Sequence, residues 1–201
     1  MGLSIMIRRS IFAFLLALLP LFAVSVPAVA AGKDTSQTQS KGAASILADI
    51  QQATWIRDGK SKHVIYVFFD PNCPYCHKLF DLLRPAVGRG EVELRWIPIG
   101  RLMASSIGKA AAMLEDKNPT EALYLNERGF SQETGSFGGI LEEPVPRDDT
   151  LRRLEANRTL LQTTGAEAVP TMVFRTKDGK VEAVRGAPPA AALAKLIQSL
   201  E

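Results

Sequence analysis

Cysteine and histidine are scarce in this chain of 201 residues, which contains two of each. Both cysteines lie in one short motif, Cys73-Pro74-Tyr75-Cys76, and His77 follows it directly. Because there is no second pair of cysteines, a framework of several disulfides and a zinc site of four thiolates are both excluded. The net formal charge is only +3, which does not favour binding to nucleic acid or to an anionic membrane surface.

The first thirty residues differ from the rest of the chain in their hydropathy. Arg8 and Arg9 precede an unbroken apolar run at 11–19, and the segment closes on the small residues of Ala28-Val29-Ala30. We therefore expect residues 1–30 to be a cleaved export signal; a retained membrane anchor is the alternative, but the apolar run is short for a span. An exported protein enters an oxidising compartment, where a cysteine pair persists as a structural disulfide or acts as a catalytic one.

The region after the signal is expected to contain a linker and then a single domain. Residues 31–53 are interpreted as a flexible polar linker that ends in a short helix over 43–53. The domain is predicted to extend over residues 54–201. Within it, four strands are predicted from a continuous apolar run, from alternation and from a hairpin with an Asp-Gly turn, at 63–69, 91–99, 171–176 and 181–186.

Helical spacing of apolar residues predicts five helices in the domain. They are placed directly after Cys73, over 103–116, over 120–128, from Asp148 or Asp149 to Gly165, and from Pro188 to the last leucine. Pro85 is expected to kink or end the first helix. In the fourth helix, Leu151, Leu154 and Leu161 are predicted to face inward. A glycine-rich loop is predicted over 129–144, so the order is βα, β, a helical block and ββα.

The dithiol motif predicts redox chemistry. A cysteine at the N-terminus of a helix faces unpaired backbone N–H groups and the positive end of the helix dipole, which stabilise a thiolate. Cys73 is therefore expected to be the nucleophile, and Cys76, about one turn further on and more buried, is expected to resolve the mixed disulfide. Pro74 is tolerated in the first turn, where an N–H would have no partner within the helix.

A proline at the start of a strand is the second feature expected at the site. Val169, Pro170 and Thr171 lead into the first strand of the predicted hairpin. A cis bond before Pro170 would direct a backbone edge toward the dithiol. Such an edge binds extended polypeptide, so these three residues are candidates for substrate binding.

Three other interpretations fit the motif less well than redox chemistry. The run from Cys73 to His77 also fits the attachment site of a c-type haem, but the flanking strands indicate a sheet protein. The two cysteines with His77 and His63 do not make a convincing set of four ligands for copper or zinc. A structural disulfide here would close a very small loop and remove little chain entropy. We therefore expect no metal and no cofactor.

The whole pattern resembles the thioredoxin fold, and FFDPNCPYCHKLF at 68–80 resembles the periplasmic disulfide isomerase family of DsbC and DsbG. Weaker similarity to DsbG lies in WIRDGK at 55–60 and in residues 84–88, and the resemblance covers roughly residues 53–199. It implies a thioredoxin-like α/β fold with a helical insertion between its βαβ and ββα parts. It also implies a protein-disulfide oxidoreductase or isomerase that is located in the periplasm.

The resemblance assigns roles and partners as well. It implies that Cys73 is the exposed nucleophile, that Cys76 is the resolving thiol and that Pro170 is the cis-proline beside the substrate. Pro74 and Tyr75 would be the pair that tunes the reduction potential. The implied partners are cysteine-containing exported proteins and a membrane thiol-disulfide electron donor.

The sequence departs from this family in two respects. Members carry an N-terminal dimerisation domain, whereas only residues 32–53 lie between the expected signal and the matching region, so a dimer of the family type is not expected. The residue before the cis-proline is typically Thr in that family, whereas Val169 resembles the oxidase DsbA. The alternative enzyme is therefore a monomeric dithiol oxidase. From another class, the alternative is a non-catalytic metal-binding, haem-binding or chaperone protein.

Residues next to the motif have simpler expected roles. His77 is predicted to be a solvated residue on the outer face of its helix rather than a base. Asp70, directly before Pro71, either shifts the pKa of Cys73 or serves as a turn residue. The aromatic side chains Tyr66 and Phe68 are expected in the core.

Overall fold

The computed structural model of the protein describes residues 47, 49–50, 53–131 and 133–201. The predicted signal peptide over 1–30, the linker and most of the helix predicted over 43–53 lie outside these residues. Among the helices of the described ranges, none is both long enough and apolar enough to cross a membrane.

A mixed five-stranded sheet lies at the centre of the fold. Its strands are β1 (Ile56–Asp58), β2 (Val64–Phe69), β3 (Glu93–Pro98), β4 (Thr171–Arg175) and β5 (Val181–Arg185). Their spatial order is β1-β3-β2-β4-β5. Strands β2 and β3 are parallel, and all the other neighbours pair antiparallel. The central position of β2 explains its nearly continuous apolar sequence, because a central strand is covered on both faces.

The helices confirm the predicted arrangement. In the described part of the chain they are α1 (Pro74–Gly88), α2 (Ser106–Glu115), α3 (Pro119–Arg128), α4 (Asp148–Thr163) and α5 (Ala190–Ser199). Helix α1 connects the parallel strands β2 and β3, and α2 to α4 form the helical block before the β4–β5 hairpin. The hairpin has the expected Asp-Gly turn, in which Gly179 has a φ of +79°.

Two buried apolar clusters lie on the two faces of the sheet, because successive side chains of a strand point to opposite faces. The cluster on the α1 side contains β2 side chains together with helix side chains, namely Ile65, Val67, Phe69, Leu79, Leu83, Leu123 and Leu193. The cluster on the α4 side contains Phe68, Ile97, Leu160, Leu161 and Val173. The sheet thus holds α1 and α4 on opposite sides and fixes the end of β2 from which the dithiol motif extends.

Strand β1 was not predicted from the sequence. It has only three residues, too few to show a period, and its register is set by antiparallel pairing of Ile56 with Trp96 in β3. Ile56 is 1% exposed. Tertiary pairing rather than local pattern therefore determines this strand.

Helix α1 does not end at Pro85 but continues to Gly88. A proline within a helix removes one backbone hydrogen bond. Leu83 and Ala86, on either side of it, are buried in the core, and Pro85 O still accepts a hydrogen bond from Arg89 N–H at 3.1 Å. Packing of the apolar face thus outweighs the local cost of the proline.

Two details of α4 also differ from the prediction. Its N-cap is Arg147, so Asp148 and Asp149 lie in the first turn, where their charges face the positive end of the helix dipole. Leu151 is exposed, because the buried face runs from Thr150 through Leu154 and further residues spaced by three or four positions. Leu151 lies about 100° away from Thr150 around the helix.

Candidate active site

Cys73 is the N-cap of α1, and Pro74 occupies the first turn, as the sequence predicted. The backbone N–H of Cys73 donates to Asp70 O at 3.0 Å. The backbone N–H of Cys76 donates to Sγ of Cys73 at 3.3 Å, and the N–H of His77 donates to Cys73 O at 3.1 Å. The sulfur therefore takes the place of the side-chain oxygen in an ordinary N-cap and receives an otherwise unpaired helix N–H.

The two thiols are free and have opposite pKa shifts. The hydrogen bond from the Cys76 thiol, helped by those from backbone N–H groups, lowers the pKa of Cys73, while burial opposes this. Burial raises the pKa of Cys76 well above its usual value, and its contact with Cys73 adds to the rise. At neutral pH the thiolate is therefore favoured at Cys73 over Cys76.

The family resemblance implied that Cys73 is exposed, but in the structure it is buried. It is only 3% exposed, against 1% for Cys76. The loop before β4 covers it, since Sγ of Cys73 lies 3.8 Å from Val169 O and donates toward it. A partner sulfur therefore has to enter beside Val169.

The Val169, Pro170 and Thr171 segment lies beside the dithiol through its backbone. The Val169–Pro170 peptide bond is cis, and Val169 O is the group that contacts Cys73. Pro170 O accepts a hydrogen bond from Gly186 N–H at 2.8 Å. The Thr171 side chain is buried and donates to Ala168 O at 2.7 Å. Val169 thus contacts the dithiol through its backbone carbonyl.

Pro74 and Tyr75, the two residues between the cysteines, are exposed, and Tyr75 has 66% of its surface free. They line a groove of about 910 Å³ that runs along α1 to the loop after α3. Phe130 and Phe137 of that loop form part of its wall. The groove provides an apolar surface directly next to the dithiol turn.

Asp70 organises the loop that precedes the nucleophile. It is 1% exposed and accepts hydrogen bonds from Asn72 N–H at 2.9 Å, from Leu102 N–H at 2.9 Å and from Ser106 Oγ at 2.8 Å. Its charge also raises the pKa of Cys73 slightly, so both roles expected from the sequence apply. No role was predicted for Lys109 from the sequence. Its Nζ donates to Asn72 Oδ1 at 2.9 Å and so joins α2 to the same loop.

The sequence predicted a solvated His77, but in the structure its ring contacts two other side chains. Its Nδ1 lies 3.0 Å from Oε2 of Glu127, its ring stacks on Phe130 with the centroids 4.5 Å apart, and its side chain is 27% exposed. The hydrogen bond with Glu127 raises the pKa of His77 above its usual 6.5. Sequence reasoning missed Glu127, because it lies on a mostly polar helix and its burial depends on contact with α1, 50 positions away.

His63 lies at the opposite end of β2 from the cysteines, where its Nδ1 lies 3.1 Å from Glu91 O. The described ranges contain no group of three or more His, Cys, Asp or Glu side chains placed to hold a metal ion. The two histidines and the two cysteines are therefore not brought together into one site.

Comparison with known proteins agrees with this geometry. A family model described as a thioredoxin-like domain matches residues 50–201. The thiol:disulfide interchange protein DsbG of Pseudomonas aeruginosa is 33% identical over 150 residues, which are 74% of this chain and 57% of that protein. DsbG of Escherichia coli is 31% identical over 144 residues, 69% of this chain and 55% of that protein. The chain thus spans little more than half the length of these relatives.

A solved structure extends the likeness to the fold. The catalytic domain of Proteus mirabilis ScsC superposes with a TM-score of 0.59 and 21% sequence identity. The match covers 79% of this chain and 96% of that domain. At this identity the match shows a similar fold.

Proposed function

The chain belongs to the thioredoxin-like domain family, and we propose that it is a thiol:disulfide oxidoreductase that acts on protein cysteines through Cys73 and Cys76. The observation that carries the proposal is the position of Cys73. Its sulfur caps α1 and accepts the N–H of Cys76 at 3.3 Å, and both the bond and the helix dipole stabilise a thiolate. Cys76 lies beside it as a buried thiol.

The reaction proceeds by two exchanges. The Cys73 thiolate attacks one sulfur of a substrate disulfide, a bond forms between Cys73 and that sulfur, and the other substrate sulfur leaves as a thiolate. The Cys76 thiolate then attacks Sγ of Cys73, and the substrate leaves with the electron pair and takes up a proton. The substrate disulfide is reduced by two electrons, and the dithiol is oxidised to a Cys73–Cys76 disulfide.

The substrate is expected to bind beside the segment before β4. Val169 O lies beside Cys73 and can accept a backbone N–H of an extended substrate segment in place of the thiol. Pro170 and Thr171 hold that segment through their own hydrogen bonds. Pro74 and Tyr75 lie at the surface between the cysteines and are assigned the tuning of the reduction potential.

The proposed substrates are cysteine-containing exported proteins, in the periplasm. The signal-like segment at 1–30 supports export, and the similarity to DsbG supports action on protein disulfides. A membrane thiol-disulfide protein is the proposed donor that returns the Cys73–Cys76 disulfide to the dithiol. The proposed reactions are isomerisation and reduction of substrate disulfides, rather than oxidation of substrate thiols or the carriage of a ligand.

The direction of electron flow can be read from the redox state of the protein in intact cells. Acid quenching followed by alkylation with a mass-adding maleimide separates reduced from oxidised chains. We expect predominantly reduced thiols, since a dedicated donor keeps a reductase or isomerase ready. Predominantly oxidised thiols would instead support the dithiol oxidase that Val169 suggests.

Substitution of each cysteine tests the proposed roles. Cys73→Ser is expected to abolish reduction of a model protein disulfide such as that of insulin. Cys76→Ser is expected to accumulate covalent adducts that a reductant releases, because the mixed disulfide can no longer be resolved. Full turnover by the Cys73→Ser protein would rule the proposal out. A Cys73→Ser, Cys76→Ser protein that still suppresses aggregation would show a separate chaperone activity.

A further inference from the structure

Glu127 is a buried carboxylate that the two exchange steps above do not use. It is 4% exposed. Its Oε2 lies 3.0 Å from Nδ1 of His77, and its Oε1 accepts a hydrogen bond from Nδ2 of Asn126 at 3.2 Å. The same Nδ2 also donates to Pro71 O at 2.9 Å. These bonds connect α3 to residues on both sides of the dithiol turn, Pro71 before Cys73 and His77 directly after Cys76.

The loop after α3 packs closely against this network. An added Cβ at Gly138 would lie 2.3 Å from Oδ1 of Asn126 and 2.9 Å from Pro71 O, so backbone and side chains are in tight contact there. Lys109 holds the loop in place, with its Nζ donating to Phe137 O at 2.6 Å and to Gly138 O at 3.3 Å. Because Glu127 is 4% exposed, its charge is less screened by water than that of a surface carboxylate.

The charged and titratable groups around Glu127 come mainly from α1. His77 faces it directly, Asp81 lies on the far side of the His77 ring with its Oδ2 3.5 Å from Nε2, and Cys76 precedes His77. Burial raises the pKa of Glu127, whereas its hydrogen bond with His77 lowers it. At Cys76 burial is the main cause of the raised pKa, the contact with Cys73 comes next, and the negative charge of Glu127 adds a smaller contribution. His77 offsets this charge only while it is protonated.

We propose that Glu127 is a positioning residue that slows the attack of Cys76 and so lengthens the life of the mixed disulfide at Cys73. Only the thiolate of Cys76 attacks Sγ of Cys73, and a nearby negative charge disfavours that thiolate. The proposal deepens the proposed function and rests on it, since it assumes that Cys73 forms the mixed disulfide.

A long-lived mixed disulfide favours isomerisation over net reduction. While the substrate stays attached, another thiolate of the same substrate can attack the substrate sulfur that is bonded to Cys73. A new disulfide then forms within the substrate, the bond to Cys73 breaks, and Cys73 leaves as a thiolate with the electron pair. No net oxidation or reduction occurs, and Cys76 is not used.

Rapid mixing with the aromatic disulfide dithio-bis-nitrobenzoate separates the two steps. With the reduced protein in excess, attack by Cys73 releases one coloured thiolate in a bimolecular phase, and resolution by Cys76 releases the second in a unimolecular phase. In Glu127→Gln the second phase is expected to be severalfold faster in mildly alkaline solution, where His77 does not offset the charge of Glu127 in the wild-type protein. The first phase is expected to stay the same.

Two variants serve as matched controls. Glu121→Gln removes an exposed carboxylate of the same helix, which pairs with Arg128, and is expected to leave the second phase unchanged. Glu127→Asp keeps the negative charge and is expected to keep the second phase slow. A second phase that is unchanged or slower in Glu127→Gln would overturn the proposal, and a slower phase would mean that Glu127 assists the deprotonation of Cys76.

Two further measurements separate a charge effect from a structural one. In a Cys73→Ser background, the alkaline midpoint of Cys76 alkylation should fall on adding Glu127→Gln. If Glu127→Gln does not fold, His77→Lys is used instead; it keeps a cation beside Glu127 in mildly alkaline solution, where His77 is neutral, so a faster second phase than in the wild-type protein is expected there. An unmoved midpoint, or a phase that is not faster in His77→Lys, would contradict the proposal.

The outcomes also distinguish the failure of this inference from the failure of the proposed function. If the reduced wild-type protein releases no thiolate at all, the proposed function fails. If the wild-type protein shows both phases and Glu127→Gln leaves the second one unchanged, only the role of Glu127 fails.

Discussion

The carbonyl oxygen of Val169 lies 3.8 Å from Sγ of Cys73, although the two residues are 96 positions apart in the chain. Sheet pairing brings them together. Strands β2 and β4 are antiparallel neighbours, and Phe68 near the end of β2 is the register partner of Thr171 at the start of β4. The segment after β2 and the segment before β4 therefore emerge at the same edge of the sheet, and they carry the nucleophile and the backbone that covers it.

Asp58→Asn is expected to lower the free energy of unfolding by about 3 kcal/mol, because it leaves the charge of a partly buried arginine without its partner. Asp58 is fully buried; it pairs with Arg84 and accepts hydrogen bonds from Tyr124 Oη at 2.6 Å and from Trp96 Nε1 at 3.1 Å. Urea unfolding at neutral pH measures the change.

Glu121→Gln is the matched control for Asp58→Asn. Glu121 and its partner Arg128 are both more than half exposed, so the loss should be less than about 1 kcal/mol. Equal losses in the two variants would show that the Asp58 cluster does not stabilise the fold as its burial implies.

Gly138→Ala is expected to destabilise the protein by about 2 kcal/mol more than Gly135→Ala. Both glycines have positive φ values, 81° and 67°, so both substitutions incur a similar backbone cost. Only at Gly138 would the new Cβ collide with Asn126 and Pro71 O, whereas the space around Gly135 is open. Thermal unfolding of the pair isolates the collision, and equal melting temperatures would contradict the close packing of this loop against the dithiol turn.

The stability contributed by His77 is expected to depend on pH. Its pKa in the folded protein is raised above 6.5 by Glu127, so the folded state binds the proton more tightly than the unfolded state does. The contribution is therefore present just below pH 6.5 and is lost as the pH rises through the folded-state pKa. We expect His77→Gln to cost about 1 kcal/mol on the acidic side and progressively less on the alkaline side. A cost that is constant with pH would contradict the ion pair.

Much of the fold could be predicted because local patterns and tertiary structure agree in it. The apolar run at 63–69, the Asp-Gly turn at 178–179 and the position of Cys73 at a helix start all reflect short-range rules. The position of Pro170 directly before a strand was also predicted from the local sequence. These elements place the dithiol and the backbone beside it, so the centre of the candidate site was accessible from the sequence.

The features that the sequence did not predict all depend on contacts between distant segments. Strand β1 exists because it pairs with β3, and Glu127 is buried because α3 packs against α1. The low exposure of Cys73 depends on the loop at Val169, and the environment of His77 depends on Glu127 and Phe130. No local period encodes such contacts, so a polar residue on a mostly polar helix gives no sign that it will be buried.

Competitive alkylation of the reduced wild-type protein tests directly whether Cys73 is the nucleophile. A limiting amount of iodoacetamide at neutral pH modifies whichever thiol is more ionised, and peptide mass spectrometry identifies it. Because the pKa of Cys73 is lowered and that of Cys76 is raised, we predict that Cys73 is labelled at least about tenfold more than Cys76. Equal labelling, or preferential labelling of Cys76, would contradict the assignment of Cys73 as the nucleophile.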